Sequence, residues 1–128
     1  MRIQLTIAAL IGMLATVLSV NAAAETFTVN TLIDDSDSND LNPGDGLCRT
    51  FDGDCSMRAA IQEANALSGA DAIEFSVAGT IMLDGGLGVF PTITGTLRIR
   101  GETAPGYPGF STDLEDAEPS IYIDGEAA

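Results

Sequence analysis

Residues 25–33 alternate, with Phe27, Val29, Thr31 and Ile33 on one side and Thr26, Thr28, Asn30 and Leu32 on the other. Period 2 in a β-branched and aromatic stretch predicts a strand. The pattern stops at Asp34. From there to Gly46, five Asp (34, 35, 37, 40 and 45) stand among Ser, Asn, Pro and Gly, which predicts a solvated loop contributing little to a core. A period near 3.6 takes over at Ser56, a candidate N-cap. Met57, Ala60, Ile61, Ala64 and Leu67 follow the i, i+3, i+4, i+7 template, and Ser68-Gly69 ends it. Arg58, Gln62 and Glu63 fall off that stripe, so the spacing predicts an amphipathic surface helix over residues 57–67. Asn65, near its end, is expected to satisfy local backbone groups rather than a ligand.

Beyond Asp71 the period returns to 2, and a longer repeat lies over it. Ile73-Glu74-Phe75, Leu97-Arg98-Ile99 and Ile121-Tyr122-Ile123 are each apolar-x-apolar and stand 24 residues apart, as do Gly101 and Gly125. A chain that regains the same strand position at a fixed interval winds as a solenoid whose parallel strands stack about 4.8 Å apart. The expected fold is therefore mainly β, the start of a parallel β-helix with the helix over 57–67 as its cap. Ile73, Leu97 and Ile121 would form one inward stack and Phe75, Ile99 and Ile123 another. Glu74 would face Arg98, and Arg100 would face Asp124, on the outside. Residues 80–83 and 91–93 would supply further faces, and 102–119 reads as an excursion loop.

The N-terminus has a different character. Arg2 precedes an apolar run over residues 7–20, and Ala22-x-Ala24 follows, the layout of a secretory signal peptide cleaved after Ala24. The run has the length of a signal core rather than of a membrane span. No membrane span is expected once it is removed, and residues 25–128 have room for one modest domain.

Composition narrows the chemistry. The chain of 128 residues carries 19 acidic residues against five Arg, with no Lys and no His, a formal charge of −14 and two Cys. A histidine or four-cysteine zinc site and a Ser-His-Asp relay cannot be built from these residues. The negative charge repels a phosphate backbone, so nucleic acid is not an expected partner. In an exported chain, Cys48 and Cys55 are expected to form a structural disulfide, worth about 2.5 kcal/mol for so short a ring, rather than a redox pair. No cofactor is required. The acidic loop offers a weak calcium candidate in Asp35, Asp37, Asn39 and Asp40, but Asp40 stands where an EF-hand needs Gly and Gly46 where it needs Glu.

One segment carries a family likeness. Cys55-Ser-Met-Arg-Ala-Ala-Ile-Gln-Glu-Ala-Asn65 resembles the CSLREA motif, followed by Ile-x-x-Ala-Asn, near the N-terminus of many bacterial exported right-handed β-helix proteins. Phe27-Thr-Val-Asn-Thr31, Asn42-Pro-Gly-Asp-Gly-Leu-Cys48, Gly69-Ala-Asp-Ala-Ile73, Gly79-Thr-Ile-Met-Leu83 and Pro91-Thr-Ile-Thr-Gly-Thr-Leu97 fit the same layout. Met57 replaces the motif's Leu, a volume-conserving change. Ala59 replaces its Glu and leaves Ser56 to cap alone. The resemblance implies the N-terminal cap of a pectate-lyase-like right-handed β-helix, a non-catalytic, adhesin-like structural module of a secreted or cell-surface protein that meets glycans or other cells. Relatives continue for more coils, so the open β edge at residues 121–123 is expected to pair with missing coils or another chain. The alternative is the N-terminal piece of a polysaccharide lyase, for which Arg98, Arg100 and Asp124 are the only residues that could imitate a catalytic face.

Overall fold

A computed structural model describes residues 23–109 and 119–125. The signal-peptide expectation thus lies almost wholly outside the described residues, as does much of the expected excursion loop. The elements run β1 (Thr26–Val29), α1 (Met57–Ala66), β2 (Ala70–Phe75), β3 (Gly79–Met82), β4 (Thr96–Ile99) and β5 (Ile121–Asp124), with a 3-10 turn at Gly101–Thr103. Every strand pair is parallel. One sheet has the order β1-β2-β4 and the other pairs β3 with β5. The described residues are therefore mainly β, two small parallel sheets with one α-helix.

The strands form where the alternation is cleanest. In β2, Asp71, Ile73 and Phe75 are buried while Ala70, Ala72 and Glu74 face outward. Phe27 and Val29 of β1 lie opposite Ile73 and Phe75 and continue the same inward rows. Phe27, Val29, Ile73, Phe75 and Ile81 form the core with Met57, Ala60, Ile61 and Ala64 of α1. Full burial of each large member stabilises the fold by about 1.5–3 kcal/mol.

The 24-residue register is corrected by the pairing. β4 meets β2 with Ile99 opposite Ile73 and Leu97 opposite Asp71, a step of 26. A shift of two preserves the inward and outward faces, and it brings Arg100, not Arg98, to Glu74, where the two form an ion pair. β5 joins the other sheet, with Ile123 opposite Ile81 and Ile121 opposite Gly79. The step from Leu97 to Ile121 is thus a passage between sheets rather than a full turn. Neither expected stack exists as drawn. Ile73 and Phe75 are buried, Leu97 and Ile121 pack partly against the core, and Ile99 and Ile123 remain 43% and 49% exposed. Residues 91–93 form no strand.

The helix also departs from expectation. It runs Met57–Ala66 with Leu67 as its C-cap, and the Ser56 hydroxyl accepts from the Ala59 N–H at 3.0 Å. It is not a surface helix. Arg58 and Glu63 are 4% and 0% exposed, because residues 34–46 lie over the face that the pattern assigned to water. That loop is exposed over most of its length, as expected, but it is anchored on the helix through Asp34, Ser38 and Asp40, which are buried. The disulfide joins Cys48 to Cys55 across a Cα separation of 5.2 Å. Cys55 donates its N–H to Asn30 Oδ1 at 2.8 Å, and its carbonyl accepts from the Asn30 N–H at 3.1 Å. The bridge therefore ties the covering loop to the junction of β1 and α1.

Candidate functional site

The densest polar arrangement surrounds α1. Arg58 meets Asp34 through two 2.7 Å bonds, Nε to Oδ1 and Nη2 to Oδ2. It also donates to the Val89 and Gly88 carbonyls at 3.1 and 3.0 Å. Its guanidinium lies 5.3 Å from the Phe90 ring centroid, within the range of a cation–π contact. Asp34 Oδ2 additionally accepts from the Asp84 N–H at 3.2 Å. A planar fork that bonds a carboxylate while stacking on an aromatic ring needs Arg rather than Lys.

Glu63 holds a different stretch of the covering loop. Its carboxylate oxygens accept from the N–H groups of Gly44 and Gly46, whose φ angles of +100° and +84° turn both donors toward one point. Ser56 donates its hydroxyl to the Ser38 carbonyl while it caps the helix. Gln62 accepts from the Asp40 N–H and donates to Asn39 Oδ1, both at 2.7 Å. Asn65 donates to the Thr92 carbonyl at 2.9 Å and accepts from the Thr94 N–H at 2.8 Å. It satisfies backbone groups, but of a distant segment rather than of its own helix end. The helix is thus a spool onto which residues 34–46 and 84–94 are tied. Among buried side-chain polar atoms of the described residues, none lacks a partner.

The calcium candidates are part of this binding. Asp35 Oδ1 accepts from the Ser38 hydroxyl and the Asp37 N–H, both at 3.0 Å. The Asp40 oxygens accept from the N–H groups of Asn42 and Arg49 at 2.8 and 3.0 Å, and Asn39 is engaged by Gln62. Asp35 and Asp37 do line a surface hollow, joined there by Asp52 and Asp54 from the disulfide ring. Spacing could not have found these two, because only the folded loop brings the segments together. Among the described residues no three such groups are placed to hold a metal ion.

The outward ladder is likewise redistributed. Arg100 bonds Glu74 through Nη1 and Glu102 through Nε, the latter at 3.2 Å. The Glu102 carboxyl is held below its usual range, first by a backbone hydrogen bond at its own residue and then by Arg100. Arg98 lies opposite Ala72, whereas Asp124 lies opposite Met82 in the other sheet. The three residues that could imitate a lyase face therefore do not share one ladder.

The two ends of the sheet stack differ. α1 packs against β1 and β2, and Phe27 and Val29 beneath it are 4% and 0% exposed. At the opposite end, β4 and β5 are the terminal strands of their sheets, and Ile99 and Ile123 are nearly half exposed. No helix among the described residues is long and apolar enough to cross a membrane. No protein-family model matches the chain, and no curated protein or solved structure shows significant similarity to it.

Proposed function

We propose that this chain is the N-terminal capping segment of an exported right-handed parallel β-helix, with a structural rather than catalytic role. The observation that carries the reading is the asymmetry of the stack among the described residues, where α1 packs over β1 while β4 and β5 are the last strands of their sheets, with Ile99 and Ile123 nearly half exposed. A solenoid needs one blocked end and one that accepts the next coil. The Arg58 and Glu63 clamps support the reading, since they fix a helix over the first strand instead of arranging groups around a substrate. The resemblance of residues 55–65 to CSLREA segments adds the expectation of a secreted or cell-surface protein that meets glycans or other cells.

Light scattering on the purified chain beginning at Glu25 tests the open end. Self-association should rise with concentration and fall when Ile99→Lys and Ile123→Lys are introduced together. A monomer at every concentration, with β4 and β5 amides as slow to exchange as those of β1, would sink the proposal. Release of unsaturated products from polygalacturonate would overturn the non-catalytic role.

A further inference from the structure

Asp71 is a carboxylate in an inward row. It precedes Ile73 and Phe75 on the buried face of β2 and is itself only 3% exposed. Its Oδ1 accepts from the Glu25 backbone nitrogen at 2.9 Å. The Glu25 carbonyl accepts from the Ala72 N–H at 2.9 Å, so residue 25 is fixed on both sides at the head of β1. Just upstream, the chain crosses Gly69 so closely that a Cβ there would stand 2.4 Å from the Ala23 carbonyl oxygen. Ala23, Ala24 and Glu25 are all exposed. The bond between Ala24 and Glu25 is also the junction at which the sequence places signal-peptide cleavage.

We infer that Asp71 is the receptor for the α-ammonium created when a signal peptidase hydrolyses the Ala24–Glu25 amide. In that step the hydroxyl of water goes to the Ala24 carbonyl carbon, the C–N bond breaks, and the Glu25 nitrogen takes up protons to become an ammonium. The nitrogen that donates to Asp71 as a neutral amide becomes a cation on the same carboxylate. The amide-to-carboxylate bond becomes an ammonium–carboxylate ion pair, which sets a full positive charge against Asp71. Removal of the preceding residues also clears the crowded passage over Gly69. Processing therefore fastens β1 to β2 at the point where the mature chain begins. The reading is independent of what the open end of the stack binds.

The lack of Lys makes the test selective, because the α-amine is the sole amine in the mature chain. The full chain is exported from a bacterial host and its intact mass taken, with Glu25 expected as first residue. An amine-reactive acylating probe is then applied at neutral pH to this protein, to a form that retains Ala24, and to Asp71→Asn. Ion pairing keeps the amine protonated, and each unit by which its pKa rises slows labelling about tenfold. The Glu25-first protein should label at least about tenfold more slowly than the Ala24-first form, and Asp71→Asn should abolish the difference. The charged side chains around the junction are Glu25, Glu74 on β2 and Arg98 on β4. Glu74 and Arg98 are common to all forms, and the Glu25 carboxylate, which lies nearer the amine when Glu25 is first, is unchanged in Asp71→Asn, so that variant isolates the part due to Asp71. If Asp71→Asn does not fold, the comparison with the Ala24-first form is repeated with Glu25→Gln in both, and a contrast that survives decides for Asp71. Equal labelling rates, or an exported protein that begins at another residue, would overturn the inference.

Discussion

Arg58 and Glu63 show how a charged side chain can belong to the interior. Each would be costly to bury alone, and each is tolerated because geometry satisfies it completely. Replacing Arg58 by Met should cost about 3–5 kcal/mol in chemical denaturation, because Asp34 is left as a buried carboxylate without its cation. Adding Asp34→Leu should recover much of that loss, and a double variant as unstable as the single one would contradict the assignment. Glu63→Gln keeps the shape but turns one acceptor oxygen toward the glycine N–H groups into a donor nitrogen. A loss of about 1–3 kcal/mol is expected. Glu102 is exposed and gives a pH signature instead of a large energy. Because its folded-state pKa lies below the unfolded value, its small contribution is present above the unfolded pKa and fades as pH falls through the folded one. An NMR titration should find its carboxyl below the usual glutamate range. Arg100→Ala should return it only partway, since the backbone hydrogen bond is the larger cause.

At the scale of elements, α1 depends on its cap and on the loop tied over it. Ser56→Ala removes both the bond from the Ala59 N–H and the donor to the Ser38 carbonyl, so thermal unfolding should report a loss of about 1 kcal/mol or somewhat more. Reduction of Cys48–Cys55 should cost about 2–4 kcal/mol, detected as a lower denaturation midpoint in a dithiol reductant. The same element shows what the sequence made legible. The N-cap, the apolar stripe and the disulfide pairing were readable because each is local, fixed by spacing within a few residues. The burial of the opposite face was not. A hydrophobic pattern treats Arg58, Glu63 and the five Asp of residues 34–45 alike as groups for water, and only the folded loop shows which donors meet which acceptors. Asp34 stands 24 residues from Arg58, and nothing in the spacing singles it out from Asp35 or Asp37. Asp71 is silent in the sequence for the same reason, since its partner is a backbone nitrogen and carries no side-chain signature.

For the whole molecule, parallel strand stacking was legible in the recurrence of apolar-x-apolar triplets, but its register was not. Apolar-x-apolar triplets satisfy an inward row in either sheet, so equal spacing cannot distinguish a return to the same sheet from a crossing to the other. Pairing is decided instead by contacts such as Arg100 with Glu74 and Ile81 with Ile123. The resulting stack has a consequence for how substitutions act along it. Val29 and Ile81 are 0% and 1% exposed, and each lies opposite a strand residue that extends its inward row. A Lys at either position must bury an ammonium or open the stack, and should abolish cooperative unfolding. Ile99 continues the inward row of Phe27 and Ile73, and Ile123 that of Ile81, yet no further strand covers them among the described residues. Lys there can carry its charge into water along its aliphatic stem. Far-UV circular dichroism with thermal melting on the four single variants separates the two ends. Ile99→Lys and Ile123→Lys should melt within about 1 kcal/mol of the parent, no more than an ordinary point substitution costs, while Val29→Lys and Ile81→Lys should lose the transition. Equal damage at both ends would mean that the β4 and β5 ends are already covered, and that the polarity from α1 to an open edge is not a property of the folded chain.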